Sequence, residues 1–174
     1  MCPRILVAGI GNIFLGDDGF GVEVAQRLAK RTLPEHVRVT DFGIRGFDLT
    51  MAILENYDLV ILVDAAPRGC SPGTVYLIEP DIAEIDPADG AQPMLDPHSL
   101  DPVKVLQLVK SMGGRPGRVL VVGCEPESIT HTDEDWDVTP GLSEPVSRAV
   151  DEAVEMIESL IEDAAASPVA QASR

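Results

Sequence analysis

Five glycines fall between residues 9 and 21, at Gly9, Gly11, Gly16, Gly19 and Gly21, and they separate two apolar patterns of different period. Before them, Ile5–Ala8 is a continuous apolar run that reads as a buried strand. After them, Val22, Val24, Ala25, Leu28 and Ala29 recur largely at helical spacing. A strand, a glycine-rich turn and a helix start make the first unit of an open α/β sheet. Such sheets bind ligands at the carboxyl ends of their strands.

The residues of the turn argue against a dinucleotide loop. The fingerprint asks for a third glycine three places after Gly11, and Phe14 stands there. Asp17 and Asp18 occupy the place where a pyrophosphate would meet the helix N-terminus, and two carboxylates there repel a phosphate. There is no Walker lysine. Two readings of Asp18 stay open: an N-cap of the following helix, or a carboxylate offered to a cation at the mouth of the sheet.

Length and charge narrow the class. A chain of 174 residues fits one domain with a real core. The formal charge of −16 opposes nonspecific binding to nucleic acid or an anionic membrane, and neither is expected as a partner. The cysteines, Cys2, Cys70 and Cys124, form no CxxC pair and no disulfide framework, which fits a reducing cytoplasm. The first apolar run is too short for a signal peptide, and nothing approaches a membrane span. A cytoplasmic monomer is the expectation.

Further along, Val37–Asp41 reads as a second strand, and Gly43 and Gly46 precede a short helix over about Phe47 to Asn56. Leu59–Val63 is a continuous run suited to the centre of a parallel sheet, and it ends on Asp64. Thr74, Val75, Tyr76, Leu77 and Ile78 alternate as another strand. The connection from Asp64 is too short for a helical crossover, so this strand lies antiparallel beside its predecessor or apart from it across an edge. Residues 79–97 read as a long acidic loop, of a length that is often functional. A helix is expected over about Ser99 to Met112, with Leu100, Val103, Leu106 and Val109 or Lys110 inward, and a last strand over Arg118–Gly123. Pro140, Gly141, Leu142 and Ser143 open a final amphipathic helix to about Asp163, and the tail from Ala164 is expected to be disordered. The sum is an α/β fold: one domain over residues 1–163, a doubly wound, mostly parallel twisted sheet of about five strands with helices on both faces.

Loops after parallel strands converge on one crevice, so Asp18, Asp64 and His98 should meet there. Two carboxylates and an imidazole suit a divalent nickel, zinc or manganese ion and leave coordination positions open. Taken singly, each has a plainer reading as a cap or a surface residue. Other chemistries lack their parts. Asp17 and Asp18 are neighbours, not an aspartic-protease dyad; HExxH and GxSxG are absent; and Ser99 beside His98 does not make a triad. His36 and His131 read as surface residues. Nothing near Cys124 in sequence would lower its pKa.

The chain resembles the endopeptidases that mature the large subunit of nickel–iron hydrogenases. The resemblance rests on Gly9 to Asn12 with Gly16 to Gly19 and Gly21, then Asp41 to Gly43 with Gly46, Val63 to Ala65, Pro72 to Thr74, Pro97 with His98, and Gly123 with Pro126 to Ser128. It implies removal of a short C-terminal extension from the large-subunit precursor once nickel has entered it. It implies nickel contacts at Asp18, Asp64 and His98, with nickel supplied by the precursor and no tightly held resident metal required. Asp18 and Asp64 are then the catalytic candidates, in a family catalogued as aspartic-type, and Asp41 has a substrate-binding role. One departure is Gly43-Ile44, where the family often has a threonine after the glycine, so a hydroxyl is missing here. Metal-assisted cleavage and carboxylate acid/base action are both compatible with these residues. So is a non-catalytic module that senses nickel or chaperones the precursor; an unrelated nucleotide-binding enzyme is the third option.

Overall fold

The structure is a computed structural model that describes residues 2–86, 101–127 and 140–166. Its core is a five-stranded sheet of β1 (Ile5–Ile10), β2 (Val37–Gly43), β3 (Leu59–Ala65), β4 (Val75–Ile78) and β5 (Arg118–Cys124), in the order β2-β1-β3-β5-β4. Four strands run parallel, and β4 closes one edge antiparallel to β5. Of the two placements open for β4, the second holds: β5 lies between it and β3.

Strands β1 and β3 are buried along their whole length, as a parallel strand covered on both faces must be. Their side chains alternate between two cores. On one face Ile5, Val7, Ile61 and Val63 pack under α1 (Phe20–Leu28) and α4 (Glu144–Ala166). On the other, Leu6, Ala8, Val60 and Leu62 pack under α2 (Gly46–Ile53) and α3 (Pro102–Ser111). The α/β reading with helices on both faces is therefore the observed architecture.

Helix α1 sits unusually close to the sheet, and Gly21 permits it. A Cβ on Gly21 would lie 2.0 Å from the Val63 carbonyl oxygen and 2.4 Å from that of Ile10. A Cβ on Gly9 would likewise lie 2.3 Å from the Gly21 carbonyl oxygen, so both glycines serve helix-to-strand packing here.

Several helix ends differ from the sequence expectation. Asp101 caps α3, its Oδ1 accepting from the Val103 N–H at 2.8 Å, and Pro102 fills the first turn, so the helix begins after Ser99 and Leu100, which lie outside the described residues. Its buried residues are Val105, Leu106 and Val109, whereas Val103 is 49% exposed. Helix α2 stops at Ile53, three residues before Asn56. Helix α4 continues to Ala166, because Ala164 still packs against the core beside Leu160 and Ile161. The tail beyond it, residues 167–174, lies outside the described residues. Among the described residues, no helix is long and apolar enough to cross a membrane.

Candidate active site

Strand order reverses at β1: the chain steps outward from β1 to β2, then returns across it to β3. Loops leaving β1 and β3 therefore diverge, and the crevice between them is where open α/β sheets bind ligands. Asp18 leaves the first loop and Asp64 ends the other strand.

Asp18 is half-buried in a single 3-10 turn, Gly16–Gly19. Its Oδ2 accepts from the Asn12 N–H at 2.6 Å. It is not the cap of α1: that place belongs to Gly19, which offers no side chain. The capping reading fails because the 3-10 turn puts one more residue between Asp18 and the helix.

Asp64 is the penultimate residue of β3 and only 7% exposed. Burial pushes its carboxyl up to about 8, the charge of Asp18 adds to the rise, and Asp101 contributes further; the Ala65 N–H hydrogen bond works the other way. Asp18, Asp64 and the cap of α3 thus share one electrostatic neighbourhood. At neutral pH Asp64 holds its proton while Asp18 faces it from the first loop.

Asp41 stands on the adjacent strand, paired in register with Gly9, and its Oδ2 accepts from Gln26 Nε2 at 3.2 Å. It borders the crevice on the β2 side. His98 lies outside the described residues, three positions before Asp101 in the chain. Among the described residues, no group of three or more His, Cys, Asp or Glu side chains could hold a metal ion. His36 is half-buried at the opposite end of the sheet, just before β2, and His131 lies outside the described residues.

A groove of about 440 Å³ adjoins the first loop on its α1 side. Ile13, Gly16, Gly19, Val22, Gln26 and Leu142 are among its walls, and neither Asp18 nor Asp64 is. The two candidate carboxylates sit beside the groove, not in it.

Comparison with known proteins now decides the family. The family model described as hydrogenase maturation protease matches residues 22–160. This chain belongs to that family. Among relatives, the hydrogenase expression/formation protein HupD of Rhizobium leguminosarum bv. viciae is 36% identical over 154 residues, covering 88% of this chain and 71% of its own. The hydrogenase 2 maturation protease of Escherichia coli is 31% identical over 156 residues, with 88% of each chain covered. Among solved structures, the hydrogenase maturating endopeptidase HybD of E. coli matches with a TM-score of 0.70 at 28% identity, covering 92% of this chain and 93% of that one.

As a hydrogenase maturation protease the chain is a peptidase, and two buried carboxylates that sequence reasoning gave no role support its site. Asp17, 2% exposed, accepts from the Glu127 N–H at 2.8 Å, the Ser143 N–H at 2.7 Å and the Ser143 hydroxyl at 3.0 Å. Glu125, 6% exposed, accepts from the Arg68 N–H at 2.7 Å and the Gly69 N–H at 3.2 Å. Burial works against the Glu125 charge, but the N–H donors of Arg68, Cys70 and Gly69 outweigh it and hold the carboxyl below its ordinary value. No local motif announces either residue, because the donors lie at least 56 positions away in the chain.

Glu125 thereby closes the loop that follows Asp64. Glu125→Ala is expected to lower the melting temperature and the protease activity together, since it strands buried N–H donors. Glu125→Gln, which keeps one acceptor, should fall between the variant and the parent. Differential scanning calorimetry on the three proteins checks that order. Cys124 beside it is fully buried: burial pushes its thiol up to about 12, and the charges of Asp17 and Glu125 add to the rise, which disfavours the reactive thiolate.

Proposed function

We propose that this maturation protease removes a C-terminal extension from a nickel–iron hydrogenase large-subunit precursor after nickel insertion. In this reading the nickel of the substrate is recognised by Asp18, Asp64 and His98. The observation that carries it is the position of Asp18 and Asp64, one on the loop after β1 and one at the end of the adjacent parallel strand β3, at the switch point of the sheet. Two carboxylates held at one crevice, one protonated and one facing it, make an acid and base pair or, on losing the proton, a pair of oxygen ligands. Nickel would supply Lewis acidity toward the scissile carbonyl. Hydrolysis breaks the amide C–N bond, puts the water hydroxyl on the carbonyl carbon and returns a proton to the leaving amine. In the acid and base alternative Asp18 would take the proton of the water and Asp64 would give one to the amine; as a nickel ligand Asp64 has already lost that proton, and the leaving amine would take its proton from the attacking water. Asp41, at the rim, serves substrate binding.

A protein substrate also fits the surface around the crevice. Ile13 and Phe14 on the β1 loop, and Ile44, Phe47 and Met51 after β2, are large apolar side chains between 40% and 58% exposed. Apolar side chains concentrated on the β1 loop and on the neighbouring β2–α2 turn and helix α2 favour docking of another protein. The Gly11 N–H donates to the Gly43 carbonyl at 3.1 Å, so the two loops abut. We place the reaction in the cytoplasm and the protease as a monomer; the free thiols of the exposed Cys2 and Cys70 are consistent with a reducing compartment.

The test is a processing assay. Nickel-loaded and nickel-free precursor are incubated with the parent protein and with Asp18→Ala, Asp64→Ala and His98→Ala, and the C-terminus is followed by intact mass. Shortening of loaded precursor alone, lost in each folded variant, is the expected result. Loaded precursor that binds and keeps its full mass would make the protein a sensor or chaperone and remove the catalytic roles.

A further inference from the structure

We propose that Asp17 is a positioning residue that fixes Asp18 at the crevice. This rests on Asp18 being a site residue, as above. A buried carboxylate is costly unless its oxygens are satisfied. Asp17 is satisfied by a particular set of donors: the Glu127 N–H just after β5, and the N–H and hydroxyl of Ser143 just before α4. Those donors stand at the two ends of the connection between β5 and α4, so one side chain gathers both ends onto the first loop. The Ser143 N–H also lies at the N-terminus of a helix of 23 residues, where the dipole favours a negative charge.

The geometry of the turn passes this anchoring to Asp18. Asp17 and Asp18 are consecutive in one 3-10 turn, where successive side chains diverge by about a third of a revolution. With Asp17 committed inward to α4, Asp18 is turned toward Asn12, from whose N–H it accepts, and its charge is felt at the Asp64 carboxyl. If the inward anchor is released, the turn can rotate, and Asp18 moves with it. The Asn12 N–H bond to Asp18 then becomes a local reporter of where Asp18 stands.

The experiment uses the full chain with Asp17→Asn and Ser143→Ala. Asparagine keeps the size of Asp17 but loses the charge and one acceptor; Ser143→Ala removes only the hydroxyl bond. Amide hydrogen exchange is read at Asn12 and across β1 and β3, and kcat and KM are read on nickel-loaded precursor. In Asp17→Asn the Asn12 amide should exchange about tenfold faster or more, relative to the strand amides. Its kcat should fall about a hundredfold while KM stays within about twofold, the signature of a misplaced catalytic group. Ser143→Ala should move both readings the same way by less. A role in stability alone would lower the melting temperature and speed all amides together without singling out Asn12.

Unchanged Asn12 exchange in Asp17→Asn overturns the proposal, whatever the activity. If Asp17→Asn does not fold, Ser143→Ala carries the same comparison. If the parent protein shortens no precursor, the endopeptidase reading fails, while Asn12 exchange still decides whether Asp17 holds Asp18.

Discussion

Asp64→Asn is expected to abolish processing while stabilising the fold at neutral pH. Asparagine neither donates an acidic proton nor carries a charge, so removal of its general-acid or ligand role should cost about 10³-fold or more in kcat/KM. Stability moves the other way because Asp64 is buried and its carboxyl lies at about 8, above the ordinary 3.8. Below about pH 4 the group is protonated in both folded and unfolded chains, and folding keeps its full stability. As pH rises toward 8 the unfolded chain sheds the proton and the folded chain retains it, so stability is lost through that window. Above it the folded state carries the buried charge and the loss is complete. At pH 7 the cost is on the order of 4 kcal/mol, and asparagine removes it. Urea denaturation of the parent and the variant at pH 4.5, 6 and 8 reads this directly. The stability gap should widen with pH; a gap that stays constant would mean that Asp64 is not a buried acid. Because the charge of Asp18 also raises Asp64, Asp18→Asn should bring the upper end of the window to lower pH and reduce the loss.

Such a separation of activity from stability marks a site that the fold tolerates at a cost. It also shows which parts of the molecule the sequence makes legible. Strand β3 is read almost residue by residue, because a run of five aliphatic residues has one stable home, the centre of a parallel sheet. The placement of Asp64 follows, since a strand end fixes where the next side chain emerges. Asp18 is legible as a residue of the β1 loop but not in its local conformation: one turn of 3-10 helix displaces it from the cap position, and no propensity distinguishes that turn from the start of α1. Asp17 and Glu125 were invisible for a different reason. Their meaning lies in N–H donors supplied by distant segments, and hydrogen bonds across 56 to 126 residues leave no periodicity to read. The edge position of β4 was constrained by connection length alone, which allows either neighbour until β5 is placed.

Gly11→Ala should be the most damaging glycine-to-alanine change among the described residues. Gly11 has φ of +126°, a conformation that side chains rarely adopt, and a Cβ built there would lie 1.7 Å from the Asp18 carbonyl oxygen. The obstruction is backbone, so no rotamer change relieves it. On the other side, the Gly11 N–H is committed to the Gly43 carbonyl. The chain cannot retreat without breaking the link between the β1 and β2 loops. Backbone strain and overpacking together should cost on the order of 3–5 kcal/mol, a large part of the 5–15 kcal/mol typical of a domain. Gly113 provides the control. It also has positive φ, at +80°, but nothing lies within 4 Å of its Cβ position. Gly113→Ala should therefore show the conformational cost alone, about 1 kcal/mol. Urea unfolding of both variants measures the difference. Processing should separate them further, because relief of the clash at Gly11 must displace Asp18, and a shift near 1 Å at a reacting group costs about a hundredfold in rate. If Gly11→Ala unfolds no more readily than Gly113→Ala and still cleaves at the parent rate, the close packing of the first loop over β1 does not set the position of Asp18.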